Sequence, residues 1–347
     1  MVGLALEGGG AKGSYQAGAY MALKKCHINI DAVVGTSIGS LNGALIAAHD
    51  EDKMLSLWRD ATMNELLGID DEKAVKILKG ELTLGTIKWT FNELYKFFKN
   101  KGLDISNYRA LVRNNVDEEK IRKSNIKYGL TTVKVETLTP LEMSIDDIPD
   151  GKLHDYIVAS SYLPVFKKEK LVDDSYYLDG GFYNLSPVDM LENMGCDKIY
   201  VINIKGIGHR KKIKPKAEIV EIKPYGNLGS IIVFDKKVTA NNINYGYYDT
   251  MRVLGHLDGF HYYFKKKSNW FYKRINRNVD SKLYGAVRAI LNSNDIKETV
   301  LKALDYCLQD GEYDDTIVYK VIKSIKKIKK TETDNIVYKY IKSLTIW

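Results

Sequence analysis

The chain has 347 residues, of which 45% are hydrophobic and 28% are charged, a balance typical of a folded globular protein. This composition excludes a disordered chain, and no run approaches the ~18 consecutive apolar residues of a membrane-spanning helix. Three dispersed cysteines, Cys26, Cys196 and Cys307, form no zinc or disulfide-scaffold spacing and favour a reducing compartment. Because no basic segment and long apolar run open the sequence, we expect a cytoplasmic protein without a secretory signal.

Charge divides the chain in two. Residues 1–205 carry 25 Lys and Arg against 29 Asp and Glu, a net charge of −4, whereas residues 206–347 carry 27 against 15, a net charge of +12. A basic half indicates an anionic partner such as a phospholipid surface, or simply a solvated Lys-rich surface. We therefore predict a core over residues 1–205 and a basic, mostly helical C-terminal extension over residues 206–347.

The first fifty residues contain two strand–turn–helix units. Residues 2–6 (VGLAL) form a short apolar run, followed by a glycine-rich turn and helically spaced apolar residues. Residues 32–34 form a second apolar run, and the apolar residues at 38, 41, 45 and 46 predict a second helix. Two such units indicate a parallel sheet covered by helices.

Residues 51–125 are predicted to be a helical insertion and a candidate cap over the site. Within it, the aromatic stripe over residues 86–99 fits either a lid on an acyl channel or ordinary helix core. Strand-like runs return at residues 128–136 and 198–204. Over residues 317–330, Val and Ile side chains alternate with Lys at helical spacing, which predicts either a basic interfacial helix or a terminal helix packed on the core.

The segment Gly35-Thr36-Ser37-Ile38-Gly39 has the pattern G-x-S-x-G and lies between a strand and a helix, the context of a nucleophile elbow. Small residues two positions on either side of Ser37 let the strand and helix pass closely and leave its hydroxyl exposed. A helix N-terminus also favours negative charge developing there. Ser37 is the predicted nucleophile, and the alternative is an ordinary helix N-cap.

The segment Gly8–Gly13 (GGGAKG) is a glycine-rich turn after a strand. Its glycines let backbone N–H groups approach an anion, either a pyrophosphate or an oxyanion. The pattern also fits a dinucleotide-binding turn, but the acidic Asp31 begins the next strand rather than ending it. A phosphate-binding P-loop would need Gly-Lys-Ser, and the order here is Lys12-Gly13-Ser14. An oxyanion hole beside the nucleophile is the most economical interpretation.

A serine nucleophile needs a base. Asp179 follows a strand-like run and precedes Gly180 and Gly181, which allow a tight turn that brings a carboxylate close to a neighbouring element. Such a carboxylate can accept the serine proton directly, although the pair also fits a plain Asp-Gly turn. The histidines that follow it, none in a distinctive neighbourhood, are His209, His256 and His261.

Taken in order, GGGAKG, GTSIG and DGG resemble the motifs of the patatin-like phospholipases. The stretches ASSYLPVF (159–166), DGGFYNLSP (179–187) and the strand after Gly195 extend the resemblance over about residues 1–205, and residues 228–255 share it more loosely. The resemblance implies an α/β fold with a central, mainly parallel sheet covered by helices on both faces.

The resemblance also implies a serine acyl hydrolase of the phospholipase A or lysophospholipase type, without metal or organic cofactor. By motif, Ser37 would be the nucleophile and Asp179 the base, so that no histidine is needed. The implied oxyanion-hole residues are Gly8, Gly9, Gly10, Ala11, Lys12 and Gly13, and the implied turn glycines are Gly35, Gly39, Gly180 and Gly181. The family commonly has Arg where this chain has Lys12, which keeps the charge but loses the bidentate fork.

The expected partners are a lipid ester substrate and, peripherally, an anionic membrane surface. No nucleic acid is expected, since no helix-turn-helix, zinc or RNA-binding pattern accompanies the basic half. The main alternative to an esterase is a catalytically silent protein that binds lipid or membrane on the same fold.

Overall fold

The structure, a computed structural model, describes residues 1–62, 102–231 and 233–346. The chain forms two compact units, Met1–Tyr247 and Tyr248–Trp347. This division lies later than the predicted boundary at residue 205, because a strand over residues 218–222 still pairs with the sheet of the first unit. The predicted aromatic stripe over residues 86–99 lies outside the described residues.

The first unit is built on a mainly parallel sheet with the order β4-β3-β2-β1-β6-β7, to which β5 is added beside β3. The strands β1, β2, β3, β6 and β7 pair in parallel, and β4 and β5 run antiparallel to β3. This confirms the predicted sheet. The strands are β1 (Val2–Leu6), β2 (Ala32–Thr36), β3 (Lys127–Lys134), β4 (Thr139–Ser144), β5 (Tyr177–Asp179), β6 (Lys198–Ile202) and β7 (Glu218–Ile222).

Helices cover both faces of this sheet, as predicted. Side chains alternate along a strand, so Leu6 and Val33 contact α2 on one face, while Ala5 and Val34 pack with Leu191 of α7 on the other. The described helices are α1 (Gly13–Lys25), α2 (Ile38–Ala47), α3 (Glu51–Asp60), α4 (Ser106–Asn115), α5 (Glu118–Arg122), α6 (Leu153–Ser160), α7 (Val188–Asn193) and α8 (Lys236–Val253).

Two strands share one edge of β3. β2 pairs with Lys127–Thr131 and β5 with the next residues, Thr132–Lys134, while β4 occupies the opposite edge. Because β2 runs parallel to β3 and β5 runs antiparallel to it, the two strands meet head-on. The register pairs Thr36 with Thr131 and Asp179 with Thr132, so the C-terminal ends of both strands lie side by side.

The second unit is mostly helical and has its own core. Its fully buried side chains include Phe264, Tyr272, Leu304 and Tyr340. A small sheet contains β8 (Leu257–Gly259), β9 (Tyr263–Lys265) and β10 (Val318–Tyr319). The helices after α8 are α9 (Asn269–Asn276), α10 (Ser281–Ile290), α11 (Ile296–Asp310), α12 (Val321–Ile328) and α13 (Ile336–Ser343).

The apolar stripe predicted over residues 317–330 is a packing face. In α12, Val321, Ile325 and Ile328 are buried in the core of the second unit, while Lys323 and Lys326 are exposed. The apolar face of α12 is therefore covered by protein and is not available to insert into lipid. Across the described ranges, no helix combines the length and the hydropathy required to cross a membrane.

Replacing Ile325 by Ala tests this packing. Ile325 is completely buried, so we expect Ile325→Ala to lower the free energy of unfolding by about 2–5 kcal/mol, through lost burial and the cavity left behind. The matched control Lys326→Ala, on the exposed face, should stay within about 0.5 kcal/mol of the wild type. Chemical denaturation followed by circular dichroism measures both, and equal losses in the two variants would contradict the assignment.

Candidate active site

Ser37 sits at a sharp turn between β2 and α2, with φ 56° and ψ −128°. Positive φ is costly for a residue with a side chain and persists only where the surroundings impose it. Two glycines allow that close packing: a Cβ at Gly35 would lie 2.1 Å from the Gly39 carbonyl oxygen, and one at Gly39 would lie 2.4 Å from the Leu6 carbonyl oxygen. The predicted elbow glycines are thus positions where only glycine fits.

Hydrogen bonds hold the turn on both sides of Ser37. The Ser37 N–H donates to the hydroxyl of the buried Ser160 at 2.9 Å, and the Ser37 carbonyl accepts from the Ser40 N–H at 2.8 Å and from its hydroxyl at 2.6 Å. Sequence reasoning did not identify Ser160 as part of the site. Its only signal was the run of small residues before Pro164, which gives no indication of a partner 123 positions away.

Asp179 ends β5 and is 5% exposed. Its carboxyl accepts the Gly181 N–H at 2.7 Å. Burial raises the pKa of Asp179 to about 6, against the opposing effects of the Ser37 hydroxyl and the Gly181 N–H, which favour the ionised form. A Cβ at Gly180 would lie 2.3 Å from the Thr131 carbonyl oxygen, so the turn presses against β3.

Three buried threonines join β3 to β2 and β5, the strands that lead to Ser37 and Asp179. The Thr36 hydroxyl donates to the Asn184 carbonyl at 2.8 Å and lies 2.8 Å from the Thr131 hydroxyl, which then donates to it. On the next residue of β3, the Thr132 hydroxyl contacts the Leu178 carbonyl at 3.0 Å. Sequence analysis did not select these threonines, because their partners are distant in the chain.

The glycine-rich turn lies against Ser37, since a Cβ at Gly8 would be 3.1 Å from the Ser37 Cβ. Most of its N–H groups are already used. The acceptors are Leu185 for Gly8 (3.3 Å), Ile231 for Ala11 (2.9 Å), Gly9 for Lys12 (3.3 Å) and Gly10 for Gly13. Within the described residues, the N–H groups of Gly9 and Gly10 have no protein acceptor, and they are the donors of this turn left for an anion.

The contacts of Lys12 do not fit the role of a simple phosphate clamp. Its ammonium donates to the Lys205 carbonyl at 2.9 Å, and burial, followed by the nearby charge of Lys205, lowers the pKa of Lys12. The side chain thus links the glycine-rich turn to the loop after β6. The lowered pKa reflects a cation held where water is partly excluded.

A buried polar network connects the two turns. Glu7, before the first glycine, pairs with Arg210 through two contacts of 3.1 Å, and burial raises the pKa of its carboxyl against that partner. The Gln16 amide donates to the Glu7 carbonyl at 2.7 Å, and the Asn42 amide donates to Gln16 at 2.8 Å. Trp58 donates its indole N–H to Asn42 at 2.8 Å, so α1, α2 and α3 are tied together behind the site.

Of the candidate histidines, His209 belongs to the first unit and lies beside the Asp179 turn. Its N–H donates to the Gly181 carbonyl at 2.8 Å and its carbonyl accepts from Leu185, but its side chain is exposed. His256 and His261 belong to the second unit. In the parts of the chain that the structure describes, no three His, Cys, Asp or Glu side chains gather as a metal site would require.

The family is now clear from comparison as well as from geometry. The family model described as patatin-like phospholipase matches residues 4–192, which include Ser37, Asp179 and the glycine-rich turn. The chain belongs to the patatin-like phospholipase family.

Curated relatives are similar to a little more than half of the chain. Lysophospholipase nte1 of Aspergillus terreus is 27% identical over 208 residues, covering 59% of this chain and 12% of the relative. Patatin-like phospholipase domain-containing protein 7 of Mus musculus is 28% identical over 207 residues, covering 58% of this chain and 13% of the relative. The chain therefore matches only about an eighth of the length of these relatives.

Among solved structures, VipD from Legionella pneumophila matches 98% of this chain and 83% of its own, with a TM-score of 0.43 and 14% identity. The type III effector protein ExoU matches 98% and 70%, with a TM-score of 0.35 and 13% identity.

Substitution at Gly39 tests the elbow geometry. A Cβ there meets a backbone oxygen that no rotamer change can move, so we expect Gly39→Ala to destabilise the protein by about 1–3 kcal/mol. The matched control is Gly285→Ala in α10, where a Cβ meets nothing within 4 Å and the change should be neutral or stabilising by about 0.4–1 kcal/mol. Thermal unfolding compares them, and equal stabilities would argue against the close approach.

Proposed function

We propose that this protein is a serine acyl hydrolase of lipid esters, with Ser37 as nucleophile and Asp179 as general base. The strand register carries the proposal, because it places the buried Asp179 carboxyl beside the turn that holds Ser37. The Ser37 hydroxyl favours the ionised form of that carboxyl. Membership of the patatin-like phospholipase family supports the same chemistry.

In the first half of the reaction, the Ser37 Oγ attacks the carbonyl carbon of the ester and its proton passes to Asp179. The carbonyl oxygen becomes an oxyanion, to which Gly9 and Gly10 can donate, together with the N–H of Ile38 that follows the nucleophile. Each well-aimed donor can contribute about 3–4 kcal/mol to stabilising the transition state.

The tetrahedral intermediate then collapses. The bond to the leaving oxygen breaks, and the proton on Asp179 passes to that oxygen, so that an alcohol leaves and the acyl group stays on Ser37. In the second half, water gives a proton to Asp179 as its oxygen attacks the acyl carbon. Collapse releases the fatty acid, and the proton returns from Asp179 to the Ser37 oxygen.

Burial makes Asp179 a better base than an ordinary carboxylate. A carboxyl with a pKa of about 6 is largely ionised at neutral pH, yet it holds a proton more tightly than one in water. The Gly181 N–H fixes the orientation of the carboxyl, which lets one residue both accept the proton and present itself to Ser37.

For the substrate, we propose a phospholipid or lysophospholipid, with cleavage of the phospholipase A or lysophospholipase type. Lysophospholipases nte1 of several fungi are similar to 59% of this chain. The net charge of +12 over residues 206–347 supports peripheral contact with an anionic membrane.

The dyad is tested by hydrolysis of a short-chain p-nitrophenyl ester. We expect Ser37→Ala and Asp179→Asn each to lower kcat/KM by about 10³-fold or more, because each removes a group that acts in the transition state. His209→Ala, beside the same turn, should retain most of the activity.

Circular dichroism of each variant confirms that the protein is folded. Activity that survives Asp179→Asn but not His209→Ala would replace the dyad by a histidine base. A folded wild-type protein that binds lipid and hydrolyses neither the ester nor phospholipid would favour the silent lipid-binding alternative.

The pH profile gives a second test. Asp179 must be ionised to accept a proton, so kcat/KM should rise about tenfold per pH unit below pH 6 and level off above it. This rise of kcat/KM with pH should be unchanged in His209→Ala, since the ionisation of a carboxyl causes it. Activity that increases as the pH falls below about 6 would contradict the assignment of Asp179 as base.

A further inference from the structure

The second unit presents a cationic and aromatic surface at α9, which we call the Trp270 patch. It consists of six cationic and two aromatic residues on and just before this helix: Lys265, Lys266, Lys267, Trp270, Phe271, Lys273, Arg274 and Arg277. Lys273, Arg274 and Arg277 lie three, four and seven positions after Trp270, so the four residues share one side of the helix.

The helix that carries the patch is firmly anchored on its other side. Tyr272 and Ile275 are completely buried, and the Tyr272 hydroxyl donates to Asp258 at 3.0 Å. The Tyr340 hydroxyl donates to the Asn276 side chain at 2.6 Å, and Ser268 caps the helix by accepting the Phe271 N–H. The outward side chains are therefore displayed by a fixed element and not by a frayed end.

Trp270 is 64% exposed, more than any other large hydrophobic side chain that the structure describes in the second unit. The Arg274 guanidinium lies 5.1 Å from the centre of its ring, and the Lys267 ammonium lies 5.5 Å from the ring of Phe271. An indole kept at the surface among cations contributes little to folding through burial, so its ring is free to contact a surface outside the chain.

The charge of the patch is one-sided. Six Lys and Arg residues lie between positions 265 and 277, and no Asp or Glu occurs among them. Within the described residues, Lys265, Lys267, Lys273 and Arg277 form no ion pair. Asp258, which accepts the Lys267 N–H, is buried and already paired with Lys297, so it leaves the surface positive.

We propose that the Trp270 patch docks the protein on a membrane surface that contains anionic phospholipids. The indole would lie at the level of the headgroups, where its apolar ring and polar N–H are both accommodated, and the surrounding cations would contact phosphate groups. This inference rests on the proposed function, because a lipid substrate brings the enzyme to such a surface. One exposed ring on a convex helix suits a headgroup layer better than a series of stacked bases.

Sedimentation with vesicles tests the patch. The full-length chain carries Ser37→Ala, so that binding is measured without turnover, and the vesicles contain phosphatidylcholine alone or mixed with phosphatidylserine. We expect binding only to the anionic vesicles, weakened by salt. Lys273→Glu with Arg274→Glu should lower the affinity at least about tenfold, since each charge near such a surface contributes substantially.

Trp270→Ala should lower the affinity about five- to tenfold while leaving its salt dependence unchanged, because it removes apolar contact and no charge. The matched control Lys323→Glu with Lys326→Glu makes the same change in net charge on the exposed face of α12. This helix has no tryptophan. It should bind nearly as well as the parent protein.

Equal losses in the α12 control would replace the patch by general charge attraction, and unchanged binding in the Trp270 and Lys273/Arg274 variants would overturn the proposal. Tighter binding to duplex or single-stranded DNA than to vesicles would also overturn it in favour of a nucleic-acid surface. The docking proposal and the proposed esterase activity are separated by measuring hydrolysis of the soluble p-nitrophenyl ester, using the same surface variants with the native Ser37. Hydrolysis without vesicle binding rejects only the docking role of the Trp270 patch. Vesicle binding without hydrolysis rejects only the esterase activity.

Discussion

The site depends on one constraint in the sheet: β2 and β5 share the same edge of β3 and meet head-on. The register that pairs Thr36 with Thr131 and Asp179 with Thr132 brings together two strand ends, Thr36 and Asp179, that are 143 residues apart in sequence. Because hydrogen bonds of a rigid ladder set this register, the turn that holds Ser37 lies beside the buried Asp179 carboxyl. The threonine hydroxyls across β2 and β3 fasten the same junction.

Around that junction, most of the backbone N–H groups already donate hydrogen bonds within the protein. The few that do not are candidates to bind an anion. Ser37 is held with a positive φ by bonds to Ser160 and Ser40, so its own N–H is not available to an oxyanion. In the described structure, the glycine-rich turn leaves Gly9 and Gly10 as open donors. A buried network from Glu7 through Gln16 and Asn42 to Trp58 keeps both turns in place, since each polar group that loses water finds a partner.

The two units differ in how they place charged side chains. The first unit, with its slightly acidic sequence up to residue 205, raises the pKa of one carboxyl by excluding water around it. The second unit carries 19 Lys and Arg against 12 Asp and Glu, a net charge of +7. It packs its helices through Ile, Val and Tyr side chains, with α12 buried on its apolar side. Its exposed cations and Trp270 therefore belong to a surface that folding does not use.

The sequence by itself determined the parallel sheet, the two glycine turns and the family. These features depend on residues close together in the chain: the spacing of apolar side chains and the glycines of each turn. It selected Ser37 and Asp179 as partners through motif resemblance, but it gave no way to see Ser160, Thr131 or the Glu7–Arg210 pair. It also left the stripe of α12 open between membrane and core, and it placed the domain boundary before β7. Only the tertiary structure decided these points, because strand register, burial and side-chain partners arise from contacts between residues far apart in the chain.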